Sequence, residues 1–189
     1  MASINLSKGA RIDLAKEVPT LIKVGVGLGW DTNNTDSGTD FDLDVSVFML
    51  NKNKKLPANE YFIFYNNLKS PDNSVEHTGD NLDGGGDGDD ETVFVELPQV
   101  SQDVEEILFI VTIHEAKEKN QNFGQVRNSY IRLFDENNEI AKYELEEDFS
   151  TETALEFGRL YKKHGAWKFQ AVGAGYNSGL QTFVDKYVQ

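Results

Sequence analysis

The sequence predicts a mainly β protein: a two-sheet β-sandwich with short helices, including an amphipathic helix at the C-terminus. Three observations carry this. Short apolar or alternating runs recur along the whole chain, turn-forming residues separate them, and only the last stretch shows a clear helical period. At 189 residues the chain can bury a sizeable core, and no repeat or linker divides it, so one domain spanning 1–189 is expected.

Taken in order, strands are expected near residues 21–28, 43–50, 61–65, 92–97, 107–113, 129–134 and 141–145. Asn51-Lys52-Asn53-Lys54, Asn66-Asn67 and Glu136-Asn137-Asn138 supply turn chemistry between them. Residues 154–162 and 167–172 flank His164-Gly165 and read as a hairpin, although Leu155 through Tyr161 also fits a helical period. Gly158 marks a possible bulge in that segment. The polar stretch 116–122 is a short helix or a loop. Leu180, Phe183, Val184, Tyr187 and Val188 fall on one helical stripe that should pack on a sheet, with Ser178 placed to cap it.

Composition narrows the function classes. A hydrophobic fraction of 39%, with Phe 12, Tyr 7 and Trp 2, argues for a folded protein despite the formal charge of −14. That charge disfavours nucleic acid and anionic membranes as direct partners, unless calcium reverses the local sign. The chain has no cysteine, which excludes disulfides, zinc-thiolate sites and thiol redox chemistry and fits a cytoplasmic location. Residues 1–14 show no apolar core of a signal peptide, and the longest unbroken apolar run, 107–111, is far short of a membrane span.

Residues 80–91 hold six carboxylates, four glycines and no cation. Ordering glycine costs entropy, and carboxylates this close repel one another. A bound cation offsets both costs, and calcium takes about six to eight oxygen ligands of this kind. A second cluster sits on a strand. Period-two alternation puts Asp40, Asp42 and Asp44 on one face and Leu43, Val45 and Val47 on the other. Asp31 closes an upstream strand, and Asn66 and Asn67 follow another. Each feature also has a plain reading: a solvated acidic loop, an exposed strand face, simple turn residues.

Rival motifs fit poorly. Residues 80–91 have EF-hand length, with Asp80 first, Gly85 sixth and Glu91 twelfth, but Leu82 and Gly84 stand where oxygen ligands belong and the flanks read as strand. Gly85 to Asp90 matches the front of a calcium-binding nonapeptide repeat but occurs once. The loop also lacks the Gly-Lys-Ser/Thr ending of a phosphate cradle.

Several motifs occur in a fixed order: Gly29-Trp30-Asp31, Phe41-Asp42-Leu43-Asp44-Val45-Ser46, Phe64-Tyr65-Asn66-Asn67, His77-Thr78-Gly79-Asp80-Asn81, Gly86-Asp87-Gly88-Asp89-Asp90-Glu91, Asn122-Phe123-Gly124-Gln125-Val126 and Trp167-Lys168-Phe169-Gln170-Ala171-Val172-Gly173. In this order, nearly end to end, the chain resembles the TerD family of tellurite-resistance and stress proteins. The resemblance implies a calcium-binding β-sandwich without established catalysis, in an operon-encoded stress system with membrane-associated partners. Some relatives are described as cyclic-nucleotide-binding. It carries the family's acidic positions to Asp31, Asp42, Asp44, Asp80, Asp90 and Glu91, with Asn66 as a neutral oxygen donor and Gly84 and Gly86 offering backbone carbonyls. Asp83 stands where the family often has threonine and adds a further candidate. Asp40 and Asp89 either ligate, support a ligand or are solvated.

The expectation is therefore a non-enzymatic module that binds two adjacent Ca2+ ions at one sandwich edge. It would act through protein partners of the tellurite-resistance system, either free or at the inner face of the membrane. Two alternatives stand beside it. A metal-dependent phosphoester hydrolase would use His77 as a base, but His77, His114 and His164 are scattered and no nucleophile with a paired base is visible. A cyclic-nucleotide or small-ligand binder would use Trp30 to stack a base, but Arg11, Arg127, Arg132 and Arg159 are dispersed in sequence. Reducing tellurite needs thiols or a redox cofactor, so any resistance role would be indirect. Arg159, Lys162, Lys163, His164 and Lys168 gather around the hairpin turn as a cationic patch, either solvated or in contact with a partner's acidic edge or a membrane.

Overall fold

The computed structural model describes residues 3–32, 41–79, 88–136, 138–145 and 149–188. Among these, two six-stranded sheets enclose the core. The first sheet holds, in spatial order, β1 (Ile4–Leu6), β10 (Asn138–Glu144), β9 (Val126–Asp135), β3 (Lys23–Thr32), β7 (Glu91–Glu96) and β6 (Val75–His77). The second holds β2 (Arg11–Asp13), β12 (Ala166–Tyr176), β11 (Ala154–Lys163), β8 (Glu106–Ile113), β4 (Leu43–Leu50) and β5 (Phe62–Ile63). The β1–β10 pair is parallel, and the pairs around the candidate site are antiparallel.

Alternation builds the core as expected. Val24, Val26 and Leu28 of β3, Val93 and Val95 of β7, and Ile131 and Leu133 of β9 face Leu43, Val45, Val47 and Met49 of β4 and Ile107, Phe109 and Val111 of β8. The ambiguity at 154–162 is resolved in favour of strand. The register of β11 slips between Glu156 and Gly158, so Leu155, Phe157 and Leu160 all reach the core although their spacing is uneven. A Cβ at Gly158 would lie 2.5 Å from the Phe169 ring, so the bulge needs glycine. His164 and Gly165 both have positive φ, 54° and 76°, the mirror-image turn that suits a two-residue hairpin.

The helix α2 (Leu180–Tyr187) lays Phe183 and Tyr187 over Phe48, Leu50, Leu108 and Ile110 on the outer side of the second sheet. Beyond Asp44, β4 is therefore buried on both faces. Ser178 is not the cap that its position suggested: Gly179 is the N-cap, with no side-chain cap bond, and the Ser178 hydroxyl is buried without a hydrogen-bond partner. The expected strand at 61–65 is only two residues long. A 3-10 turn, Asn59–Tyr61, leads into it, and the Phe64–Asn67 bridge closes a tight loop over Tyr65 and Asn66. Residues 116–122 form turns rather than a helix. The three-residue strands β1, β2 and β6 and the short helix α1 (Leu14–Glu17) were not expected, because three residues carry no readable period.

Candidate functional site

The acidic residues gather at one end of the sandwich. β3 leaves at this end with Asp31; β4 and β7 enter at it with Asp42, Asp44, Asp90 and Glu91. Register fixes the arrangement: Leu28 pairs with Glu91, and Asp44 pairs with Thr112, which in turn pairs with Ala154. Asn66 sits exposed on the loop after β5, and its neighbour Tyr65 lines a cavity of about 310 Å³ together with Asp44 and His114. Gly79 and Gly88, which bracket residues 80–87, both lie here, since Thr78 N–H donates to Thr92 O and Asp90 N–H to Leu28 O.

Glu91 ties the two sheets together. The alternation of β7 turns it inward with Val93 and Val95, so its carboxylate lies buried at the mouth of the core. Its Oε2 accepts from Val45 N–H of the opposite sheet at 3.1 Å and lies 2.9 Å from His77 Nε2. Gly79 N–H donates to His77 Nδ1 at 3.0 Å. With Nδ1 accepting, the ring proton sits on Nε2 and points at Glu91. Burying a carboxylate without such donors is costly, so these bonds are what allow it here. Asp90 holds the neighbouring strand in the same way, accepting from Trp30 N–H at 2.8 Å through Oδ2.

Asp42 differs. Its Oδ1 is buried and has no hydrogen-bond partner among the described residues, while its backbone carbonyl accepts from His114 N–H at 2.8 Å. A buried carboxylate oxygen without a partner calls for an explanation, a water or an ion among them, and Asp13 Oδ1 is a second such atom at the other end of the second sheet. Asp44, on the same face one pleat along, has its Oδ2 3.8 Å from His114 Nδ1.

Two of the predicted site residues have other partners. Asp89 is held by Arg132 through both guanidinium nitrogens, Nε at 2.7 Å and Nη2 at 2.8 Å, and accepts from the Tyr130 hydroxyl at 2.9 Å. It lies across β3 where Gly27 leaves room; a Cβ there would fall 2.0 Å from its Oδ2. Burial and the Asp89 charge raise the Tyr130 hydroxyl above the usual range, and the Asp89 hydrogen bond raises the Arg132 guanidinium. Asp31 is exposed and accepts from the Asn128 amide at 2.5 Å.

The structure thus brings Asp31, Asp42, Asp44, Asn66, Asp90 and Glu91 to one end and shows Asp89 as a strut beside it. Asp40, Asp80, Asp83, Gly84 and Gly86 lie outside the described residues. Among the described residues alone, no three His, Asp or Glu side chains form a group able to hold a metal ion. Sequence reasoning missed Tyr130 and Arg132, whose available signal was their alternation on β9 opposite the glycines of β3. Trp30, weighed as a stacking platform, is 4% exposed and belongs to the core.

A family model for the TerD domain matches residues 1–187. The tellurium resistance protein TerD of an Alcaligenes species is 54% identical over 187 residues, covering 98% of this chain and 97% of the relative. General stress protein 16U of Bacillus subtilis is 50% identical over 187 residues, again covering 98% and 97%. The crystal structure of a Streptomyces coelicolor homologue of telluride resistance protein (TerD) superposes with a TM-score of 0.72 at 22% identity, over 86% of this chain and 95% of that one, a likeness of fold. No helix among the described residues is long and apolar enough to cross a membrane.

Proposed function

The chain belongs to the TerD family, and from that premise we propose that it is a non-enzymatic calcium-binding module of a tellurium and stress response. The observation that carries the proposal is the buried Oδ1 of Asp42, which has no hydrogen-bond partner among the described residues, at the end of the sandwich where Asp44, Asp90 and Glu91 also lie. A hard cation beside that oxygen would satisfy it with the ligand chemistry that calcium takes. In this reading Asp42, Asp44, Asp90 and Glu91 hold the ions together with Asp80, Asp83 and the carbonyls of Gly84 and Gly86. Two ions fit the number of carboxylates better than one. Asp89, already committed to Arg132 and Tyr130, anchors the C-terminal flank of the acidic segment.

A hydrolytic role draws no support from the site. Both ring nitrogens of His77 are engaged and its side chain is buried, so it offers no free nitrogen to a substrate proton. Binding ions at this end would neutralise the clustered carboxylates and change the surface offered to a protein partner. A cytoplasmic place for this exchange is part of the same proposal.

Calorimetry on the chelated protein tests it. Two saturable calcium events with magnesium silent are expected. Absence of calcium binding would overturn the proposal and leave family membership without this chemistry.

A further inference from the structure

A second charged site lies at the other end of the second sheet, and its charge is opposite. β11 runs from Ala154, level with Asp44, to Lys163. At about 3.3 Å per residue that separates the two ends by roughly 30 Å. There Arg11 and Asp13 of β2, Lys16 of α1, Arg159, Tyr161 and Lys163 of β11, His164 of the turn and Lys168 of β12 line an open cavity of about 620 Å³.

Register explains the assembly. Arg11 pairs with Gln170, which pairs with Arg159; Asp13 pairs with Lys168, which pairs with Tyr161. Alternation sends each of these rows to the outer side of the sheet, past the part that α2 covers. The cations come from two stretches far apart in sequence, which is why the hairpin patch alone understated the site. Lys162 is not part of it: its ammonium donates to the Ser101 and Val104 carbonyls.

The charge balance is unusual for this chain. The protein has 32 acidic and 18 basic residues, yet the cavity gathers Arg11, Lys16, Arg159, Lys163 and Lys168 against Asp13. Asp13 Oδ2 is taken by Lys168, whose hydrogen bond lowers the carboxyl below its ordinary value, while Asp13 Oδ1 is buried without a hydrogen-bond partner among the described residues. Gln170 Oε1 accepts from Arg159 Nε at 3.0 Å and Nη2 at 2.7 Å, which fixes the guanidinium; Glu106 approaches Nη1 at 3.6 Å from the far side. The side chains of Arg11, Lys163 and His164 make no hydrogen bond or ion pair with the described residues. Folding alone does not gather like charges in a chain so rich in carboxylates.

We propose that this groove is a binding site for a multiply charged phosphate group. A fixed guanidinium flanked by ammonium groups suits phosphate oxygens, and the volume is that of a small-molecule site, about 300–1,000 Å³. The ligand is a free polyphosphate-type anion or the headgroup of a phosphate-bearing lipid, and both present the same chemistry. The site does not depend on the calcium reading, since it lies at the opposite end of the sheet and needs no metal.

The test is calorimetry with tripolyphosphate at low salt in excess chelator, which removes any metal-bridged binding at the acidic end. A parallel arm sediments the protein with phosphatidylcholine vesicles doped with phosphatidic acid. Saturable one-to-one binding is expected, weakened at least tenfold in Arg11→Gln/Lys163→Gln and by added salt. It should be unchanged in the control Lys52→Gln/Lys69→Gln. Arg11 and Lys163 are exposed, so the double variant should keep its thermal midpoint. Tripolyphosphate binding without sedimentation identifies a free anion; sedimentation that the double variant loses identifies a headgroup. No binding in either arm, or equal binding by the double variant, would overturn the proposal.

Discussion

The two ends of the second sheet solve opposite electrostatic problems. At the acidic end the chain concentrates carboxylates and secures several of them: Glu91 on Val45 N–H and His77, Asp90 on Trp30 N–H, Asp89 on Arg132. Asp42 Oδ1 is the exception. At the basic end Lys168 is paired with Asp13, and Arg159 is held by the Gln170 amide with Glu106 nearby, while Arg11 and Lys163 stand exposed at the cavity. One end is a frame with an orphaned oxygen, while the other is a groove with cations in excess of its carboxylates. The difference separates groups that keep the fold from groups that the fold holds ready.

The largest expected effect breaks the frame. Glu91→Ala removes the acceptor for two buried donors, Val45 N–H and the His77 ring N–H, and leaves a hole at the mouth of the core. An unsatisfied buried donor costs about 1–3 kcal/mol, so a loss of roughly 2–4 kcal/mol is expected in chelated protein by urea unfolding. Glu91→Gln keeps a carbonyl acceptor and should lose markedly less. If alanine there were neutral, the two sheets would not depend on this contact.

Asp42→Ala sharpens the distinction from the other side. Removing an oxygen without a partner should leave the chelated protein as stable as before, or slightly more stable. With calcium present the same change should weaken binding about tenfold, which corresponds to about 1.4 kcal/mol. Equal calcium affinity in variant and parent would remove Asp42 from the ligand set. The pair of variants separates a carboxylate that the fold needs without calcium from one that it does not.

The two ends also differ in how far the sequence discloses them. The acidic end draws on runs that are each contiguous in sequence, so residues 80–91 and the Asp40–Asp44 alternation are visible directly. β4 begins and ends where its apolar run does, at Leu43 and Leu50. The partners that secure the carboxylates were hidden, because Val45 N–H and Asn128 come from other strands and only register brings them in. The basic groove was half visible. Arg159, Lys163, His164 and Lys168 share a hairpin, but Arg11 enters through β2 and Lys16 through α1, elements too short to carry a period. The Ser178 cap failed for a local reason: Gly179 takes the N-cap position and leaves the serine hydroxyl buried.

The smallest effect lies between the ends, on the strand that joins them. Glu156 sits at the bulge of β11 and is 8% exposed. Burial pushes its carboxyl above the ordinary glutamate value of 4.5, and the Arg159 charge pulls it back. The folded chain therefore takes up this proton at a higher pH than the unfolded chain does. Between the two values the native state binds more protons, so this group adds stability as pH falls from its folded value to about 4.5, and adds no more below that. Glu156→Gln should flatten this contribution and raise the unfolding midpoint slightly at neutral pH. Arg159→Gln should enlarge it, because the opposing charge is gone. Thermal unfolding of the three proteins between pH 4.5 and 7 measures both changes, read as differences from the parent so that other titrating groups cancel. If Arg159→Gln left the Glu156 contribution unchanged, the groove's field would end at its own walls; an enlarged contribution would mean that an anion bound at Arg159 is felt at the bulge, partway along the strand that leads to the acidic end.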